Sequence, residues 1–166
     1  MEQIHQHPPM TPSRVVTYAG FWKRFAAYFL DKLMIGFVVA IICVPIIVVF
    51  GLTAAFHMDE NETPLAFLVA MSGLIIMFAM LVFIGEWLYF SLMESKKGAT
   101  LGKMILGIRV TDMEGKQVTF GRASGRYFGK ILSGLTLYIG FIIAGFTQQK
   151  QALHDILAKT LVVNNY

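Results

Sequence analysis

Apolar positions in this chain run on without interruption where a soluble helix would show only a stripe. Leu33 to Phe56 and Thr63 to Gly85, 24 and 23 residues, contain no formal charge. A bilayer core of about 30 Å needs about 20 helical residues to cross it. Backbone in hydrocarbon must satisfy its own hydrogen bonds, so each run is predicted to be a membrane-spanning helix. The expected spans are about 25–56 and 63–92, joined as an antiparallel hairpin. A third apolar segment, Ile131 to Thr147, has 17 residues, among them Gly134, Gly140 and Gly145. It either crosses with help from helical turns upstream or dips in and returns. A re-entrant backbone of that kind needs protein or water to cover it.

The pattern changes outside these runs. Leu101 and Ile105, within Thr100-Leu-Gly-Lys-Met-Ile-Leu-Gly107, predict a short amphipathic helix on the membrane surface. Ile108 and Val110, then Val118 and Phe120, alternate around Asp112-Met-Glu-Gly-Lys116, which reads as a β-hairpin with Gly115 in its turn. Leu153, Ile156, Leu157 and Leu161 have helical spacing and predict a C-terminal amphipathic helix over 149–163. The fold class is an all-α membrane protein. It comprises a two-helix hairpin, a third short or re-entrant helix in 121–147, and a small cytoplasmic β-hairpin in the loop 93–120. Residues 1–19 read as a flexible polar tail whose His5 and His7 are solvated rather than metal-binding.

Composition agrees with a lipid solvent. The 166 residues, one domain over 20–163, are 56 % hydrophobic and 14 % charged, against about 25 % charged in soluble domains. The single cysteine, Cys43, lies inside the first run and packs as a small apolar group. Charge is sorted by side. Arg14, Lys23, Arg24 and Lys32 precede the first uncharged run. The connection His57 to Glu62 carries Asp59, Glu60 and Glu62 with no lysine or arginine, and eight cations follow between 93 and 130. Positive loops stay inside, so the N-terminus is expected in the cytoplasm and the acidic turn outside the cell (inner) membrane. The net charge of +4 follows from that orientation and from anionic lipid, so no nucleic-acid partner is expected.

The candidate chemistry sits at the inner rim. The outer turn is centred near residues 59 and 60, which puts Asp31 and Glu86 at nearly the same depth. Two carboxylates meeting there would share a proton or a cation; the other reading makes both of them wetted anchors at the helix ends. Arg24 lies seven residues before Asp31 on the same helix face and would tune it. Gly121, Gly125, Gly129 and Ser133 recur every four residues, a small-xxx-small run for helix packing within the chain or between copies. Arg122, Arg126 and Lys130 form the adjacent stripe. They read either as a lipid-headgroup or anion site or as cations snorkelling to phosphates. His154 and Asp155 do not make a catalytic pair alone. Signatures for nucleophile elbows, phosphate loops and zinc sites are missing, so no enzyme, metal or cofactor is expected.

Four blocks carry a resemblance. They are Gly20-Phe-Trp-Lys-Arg-Phe-Ala-Ala-Tyr-Phe-Leu-Asp31, Ala99-Thr-Leu-Gly-Lys-Met-Ile-Leu-Gly-Ile-Arg-Val-Thr-Asp112, Phe120-Gly-Arg-Ala123 and Gln151-Ala-Leu-His-Asp-Ile-Leu-Ala158. In this order they resemble the RDD family of small bacterial membrane proteins, named for one arginine and two aspartates. The resemblance implies that the signature residues are Arg24, Asp31 and Asp155, and that transport, including cation/proton antiport, has been suggested for members. If the three form one site, Asp155 is expected on the cytoplasmic side, which favours an even number of crossings or a re-entrant third segment. Lys159 stands where members often have glycine. Two functional readings follow. One is a small ion or solute transporter, oligomeric because two or three spans enclose little volume. The other is a non-transporting assembly partner in which Arg24, Asp31 and Asp155 form a buried ion-pair network.

Overall fold

The computed structural model describes residues 16–56, 64–135 and 139–164. The histidines of the tail, the acidic turn at 59–62 and the centre of the third apolar segment at 136–138 lie outside them. Element order is α1 (Phe21–Phe56), α2 (Pro64–Lys97), α3 (Leu101–Ile105), β1 (Ile108–Asp112), α4 (Phe120–Leu135), α5 (Ile139–Ile142), a 3-10 turn at Ile143–Gly145, α6 (Leu153–Leu157) and β2 (Thr160–Asn164).

The two uninterrupted apolar runs become α1 and α2, of 36 and 34 residues. Both are long and apolar enough to cross a membrane, and the most apolar window of each is wholly unburied. Phe37, Ile41, Val49, Leu68 and Ile76 are among the large apolar side chains left open. Only a lipid solvent makes such a surface favourable. The helices are antiparallel: Lys32 meets Glu86, and Gly51 lies against Met71. Pro45 sits inside α1; membrane helices tolerate an interior proline when neighbouring groups re-satisfy the freed carbonyl.

Length decides where the rest of the fold goes. At 1.5 Å per residue, α1 and α2 are each about 50 Å long, roughly 20 Å more than the hydrocarbon layer. The surplus is at the charged end, residues 21–32 and 86–97, and every other element packs there as a cap. Gly98, with φ of +72°, ends α2 in the left-handed region and turns the chain into α3. That short helix is inside out. Gly102 and Lys103 are buried, while Leu101, Met104 and Ile105 are exposed. The expected surface helix is therefore present, with its cation turned towards the protein and its apolar side chains outward.

The expected β-structure forms with a different partner. The turn at Asp112–Lys116 is made, with Asp112 N–H donating to the Lys116 carbonyl at 2.9 Å and Gly115 at φ +81°. Beyond an isolated bridge between Thr111 and Gln117, the local strand stops, because Phe120 already begins α4. β1 instead pairs antiparallel with β2, Ile108 opposite Asn164 and Asp112 opposite Thr160. Tyr18 bridges Val163 on the other edge of β2, so the chain entering α1 and the chain leaving α6 are tied together. The C-terminal helix expected over 149–163 is corrected accordingly. Only Leu153–Leu157 is helical; Leu161 to Val163 pack as a strand over Ile108 and Val110, and their apolar run fits a strand buried on both faces.

The third apolar segment is not one helix. Its first part extends α4 to Leu135, and Ile139–Gly145 form two short turns. Gly140 lies so close to Ser133 that any side chain there would collide with it. Gly140 and the turns after it thus lie against the end of α4.

Candidate functional site

The cap is built around buried charge. Asp155 is wholly buried. It is the third residue of α6 and accepts the Ala152 N–H at 3.1 Å, the carboxylate half of a capping box. Its Oδ2 also pairs with Arg24 from α1, and its Oδ1 lies 2.8 Å from Arg126 Nη2 of α4. Arg24 spends its other donors on backbone, with Nε to the Ala19 carbonyl at 3.0 Å. Burial alone would raise the Asp155 pKa; the charge of Arg126 first, and that of Arg24, more than offset it and hold the carboxyl well below the usual range. Burial pushes the neighbouring His154 down to about 3 despite Asp155, so its ring is neutral at pH 7.

A second carboxylate, Glu94 of α2, completes the cluster. It is 1 % exposed. Lys103 Nζ sits 2.5 Å from its Oε1, Lys130 3.5 Å away, and Arg126 Nη1 lies 3.4 Å from Oε2. Arg126 thus bridges Glu94 and Asp155 and links α2, α4 and α6. The sequence reading passed over Glu94 and Lys103. A signal existed: Glu94 is the sole acid between Glu86 and Asp112, in a stretch otherwise rich in lysine and arginine.

Asp31 occupies a separate niche. It is fully buried and takes three neutral donors: Tyr89 Oη at 2.9 Å, Thr100 Oγ1 at 2.5 Å and the Gly102 N–H at 2.7 Å. The last two place it at the start of α3, where a carboxylate satisfies donors the helix cannot. The expected meeting of Asp31 with Glu86 does not occur. Glu86 pairs with Lys32 at 2.6 Å. Asp31 and Glu86 lie at similar depth, but Lys32, one residue on from Asp31 and about 100° round the helix, is the side chain that faces Glu86. Arg24 does not tune Asp31 by contact either, since its partner is Asp155, although all three signature residues lie in the cap.

The small-residue run divides. Gly129 is buried, and an added Cβ there would lie 2.9 Å from His154 Cβ; Ser133 is buried against Gly140. Gly121 and Gly125 have nothing within 4 Å. Packing thus uses the second half of the run alone, because α6 and the returning segment cover only that half of α4. The cationic stripe divides too. Arg122 reaches Asp112 at 3.6 Å on the surface, whereas Arg126 and Lys130 turn inward. Among the described residues no group of three or more histidines, cysteines or acids is arranged to hold a metal ion.

A hairpin of lipid-exposed helices under a charged cap defines a helical membrane protein. The RDD family model matches residues 18–159, and the chain belongs to that family. It is 40 % identical to Uncharacterized protein YxaI of Bacillus subtilis, across 87 % of this chain and 96 % of the relative. It is 32 % identical to Uncharacterized membrane protein YteJ of the same organism, across 89 % and 81 %. Uncharacterized protein YckC, also from Bacillus subtilis, is 29 % identical across 87 % and 83 %. No solved structure matches the chain.

Proposed function

We propose that this RDD protein is a non-transporting binding module of the inner membrane, with its N-terminus and cap in the cytoplasm. The hairpin is the anchor, and the cap is a rigid platform at the inner rim. The observation that carries this reading is that both signature carboxylates are wholly buried and held by fixed partners. Asp155 is held by two arginines and a backbone N–H, and Asp31 by two hydroxyls and a backbone N–H. A cation or proton exchanger needs a carboxylate that can let go of its partner within the physiological pH range. Asp155, held below the usual carboxylate range by its arginines, lacks that freedom. The orientation rests on the cationic overhang of both helices.

The test is flux. In proteoliposomes with imposed sodium and pH gradients, the wild-type protein should move neither ion beyond protein-free vesicles. Asp31→Asn, which can no longer accept all three donors, should accumulate poorly in cells and unfold at lower temperature. A sodium- or proton-dependent flux that Asp31→Asn abolishes while the protein stays folded would overturn the reading in favour of exchange.

A further inference from the structure

The cap encloses a cavity of about 270 Å³ between the charged end of α1, α4 and the returning segment. That is close to the lower end of ordinary small-ligand pockets, about 300–1,000 Å³. Its wall is mostly apolar, yet Arg24, Lys103, Arg126 and Lys130 all reach its lining. Within the cluster these four cations share two carboxylates, Glu94 and Asp155, and His154 is neutral. The cations outnumber the carboxylates they pair with. Arg126 is 2 % exposed, and neither its Nε nor its Nη1 makes a hydrogen bond, while Glu94 Oε2 and Asp155 Oδ1 beside it accept none. A buried guanidinium N–H with nothing to donate to is rare and costly. The rim is of the opposite character. Phe25 and Ile142 line the cavity and are about half exposed, beside the exposed Trp22 and Phe29 of α1.

We propose that this cavity binds an anionic amphiphile drawn from the bilayer, with its singly charged carboxylate or phosphodiester head against Arg126 and Lys130 and its chain leaving between Phe25 and Ile142. The site sets an anionic head against a wall with more cations than carboxylates, and it matches an acyl chain to the apolar rim. Only the head and the first part of the chain fit inside; the remainder stays in the bilayer. The proposal rests on the reading of the charged core as fixed, since an exchanging core would not keep a constant surplus charge.

The full chain, purified in an uncharged maltoside detergent, is titrated with two matched pairs: oleate against oleyl alcohol, and phosphatidylglycerol against phosphatidylcholine of the same chains. Native mass spectrometry counts bound lipid, and thermal unfolding reports stabilisation. At least one anionic member should bind tenfold or more tightly than its neutral counterpart and raise the Tm. Oleate alone would assign a carboxylate head, phosphatidylglycerol alone a phosphodiester, and both together a requirement for charge only. Equal binding within both pairs overturns the proposal. Ala144→Leu, which fills the cavity from a lining position, should remove the preference without lowering the lipid-free Tm. If that variant does not fold, Ile142→Trp at the half-exposed rim should do the same. A preference that survives in the folded variant places binding elsewhere and sinks the site. Ion flux decides the fixed-core reading separately. A folded, flux-free protein with no lipid preference would remove the ligand and leave that reading standing.

Discussion

Gly102→Ala is the sharpest probe of how the cap is held. Gly102 is the close approach between α3 and α1. A Cβ there would lie 3.0 Å from Asp31 Cγ and 3.1 Å from the Ala27 carbonyl carbon, and closer still to the Ala27 carbonyl oxygen. The obstacle is helix backbone, which cannot swing aside as a side-chain tip can. Ordinary contact between heavy atoms is about 3.5 Å or more, so α3 has to withdraw by roughly 1 Å. That movement stretches the Gly102 N–H bond to Asp31, now 2.7 Å, and disturbs the Thr100 hydroxyl bond beside it at 2.5 Å. Overpacking of this kind costs about 1–3 kcal/mol, and losing one hydrogen bond to a charged group costs about 1.5–3 kcal/mol. The sum is about 2.5–6 kcal/mol.

Thermal unfolding of the detergent-solubilised protein reads this directly. On the scale of 150–250-residue domains, 1 kcal/mol shifts Tm by about 2–4 °C, so a fall of roughly 5–24 °C is expected. Gly121→Ala is the control. It lies in α4 with nothing within 4 Å of the added Cβ, and alanine is the better helix former by about 1 kcal/mol. It should leave Tm unchanged or raise it slightly. A Gly102→Ala protein within 2 °C of wild type, or a Gly121→Ala protein equally damaged, would refute the close-approach argument.

Other outcomes follow from the same geometry. Glu94→Gln leaves Lys103, Arg126 and Lys130 buried around a neutral group and should cost about 3–5 kcal/mol. Glu86→Gln, whose Lys32 partner is over a third exposed, should cost less than about 1 kcal/mol. Equal losses in chemical unfolding would dissolve the distinction between cap core and rim. Lys159 sits at φ +51°, where an L-residue pays about 1–2 kcal/mol and glycine pays no steric cost. Lys159→Gly should therefore gain about 0.5–1 kcal/mol, and a destabilised variant would argue for a role of the lysine itself. His154 has a folded pKa of about 3 against its usual 6.5, so below pH 6.5 the unfolded chain binds a proton that the folded chain refuses. Stability should fall on acidification from about pH 6.5 towards 3, by up to about 1.4 kcal/mol per pH unit. The lowered Asp155 pKa adds to the fall near and below pH 4. His154→Gln should flatten the upper part of that profile, and an unchanged profile would show that the ring is not buried neutral.

How much of this was legible in the chain depends on how local each signal is. The two long helices follow from unbroken apolar runs, since hydrocarbon length and backbone satisfaction leave few alternatives. The turn at Gly115 and the short helix at Leu101 are equally local. The pairing of β1 with β2 is not. Alternation at Ile108 and Val110 announces a strand, but the partner lies some fifty residues away, and a pattern of period two carries no information about which strand it meets. Helical spacing at Leu153, Ile156, Leu157 and Leu161 misled for a related reason: a two-side-buried strand is apolar at every position and matches several templates. Arg24 and Asp155 came together only through the family resemblance, for no spacing rule links residues 131 apart. Glu94 stayed hidden because its meaning depends on three cations from two other elements.

The distribution of burial explains why the cap relies on charge. In lipid, apolar contact does not drive helices together as it does in water, so the outer two-thirds of the hairpin contributes little that fixes the pose of anything else. The apolar core of the cap is small, consisting of Ala19, Ala27, Ile108, Val110, Val118, Ala123 and Val162. Small and β-branched residues of this kind pack closely but could slide past one another. Arg126 removes that freedom. Its guanidinium must face Glu94 on α2 and Asp155 on α6 at once, and a displacement of either helix by one turn would leave a charge buried without a partner. The cost of that error, about 3–5 kcal/mol, is comparable to half the stability of an ordinary domain. The ionic cluster therefore contributes register, whether or not it adds net stability. A cap locked in this way also keeps the excess positive charge in place beside an apolar opening, which a looser core would neutralise by rearranging.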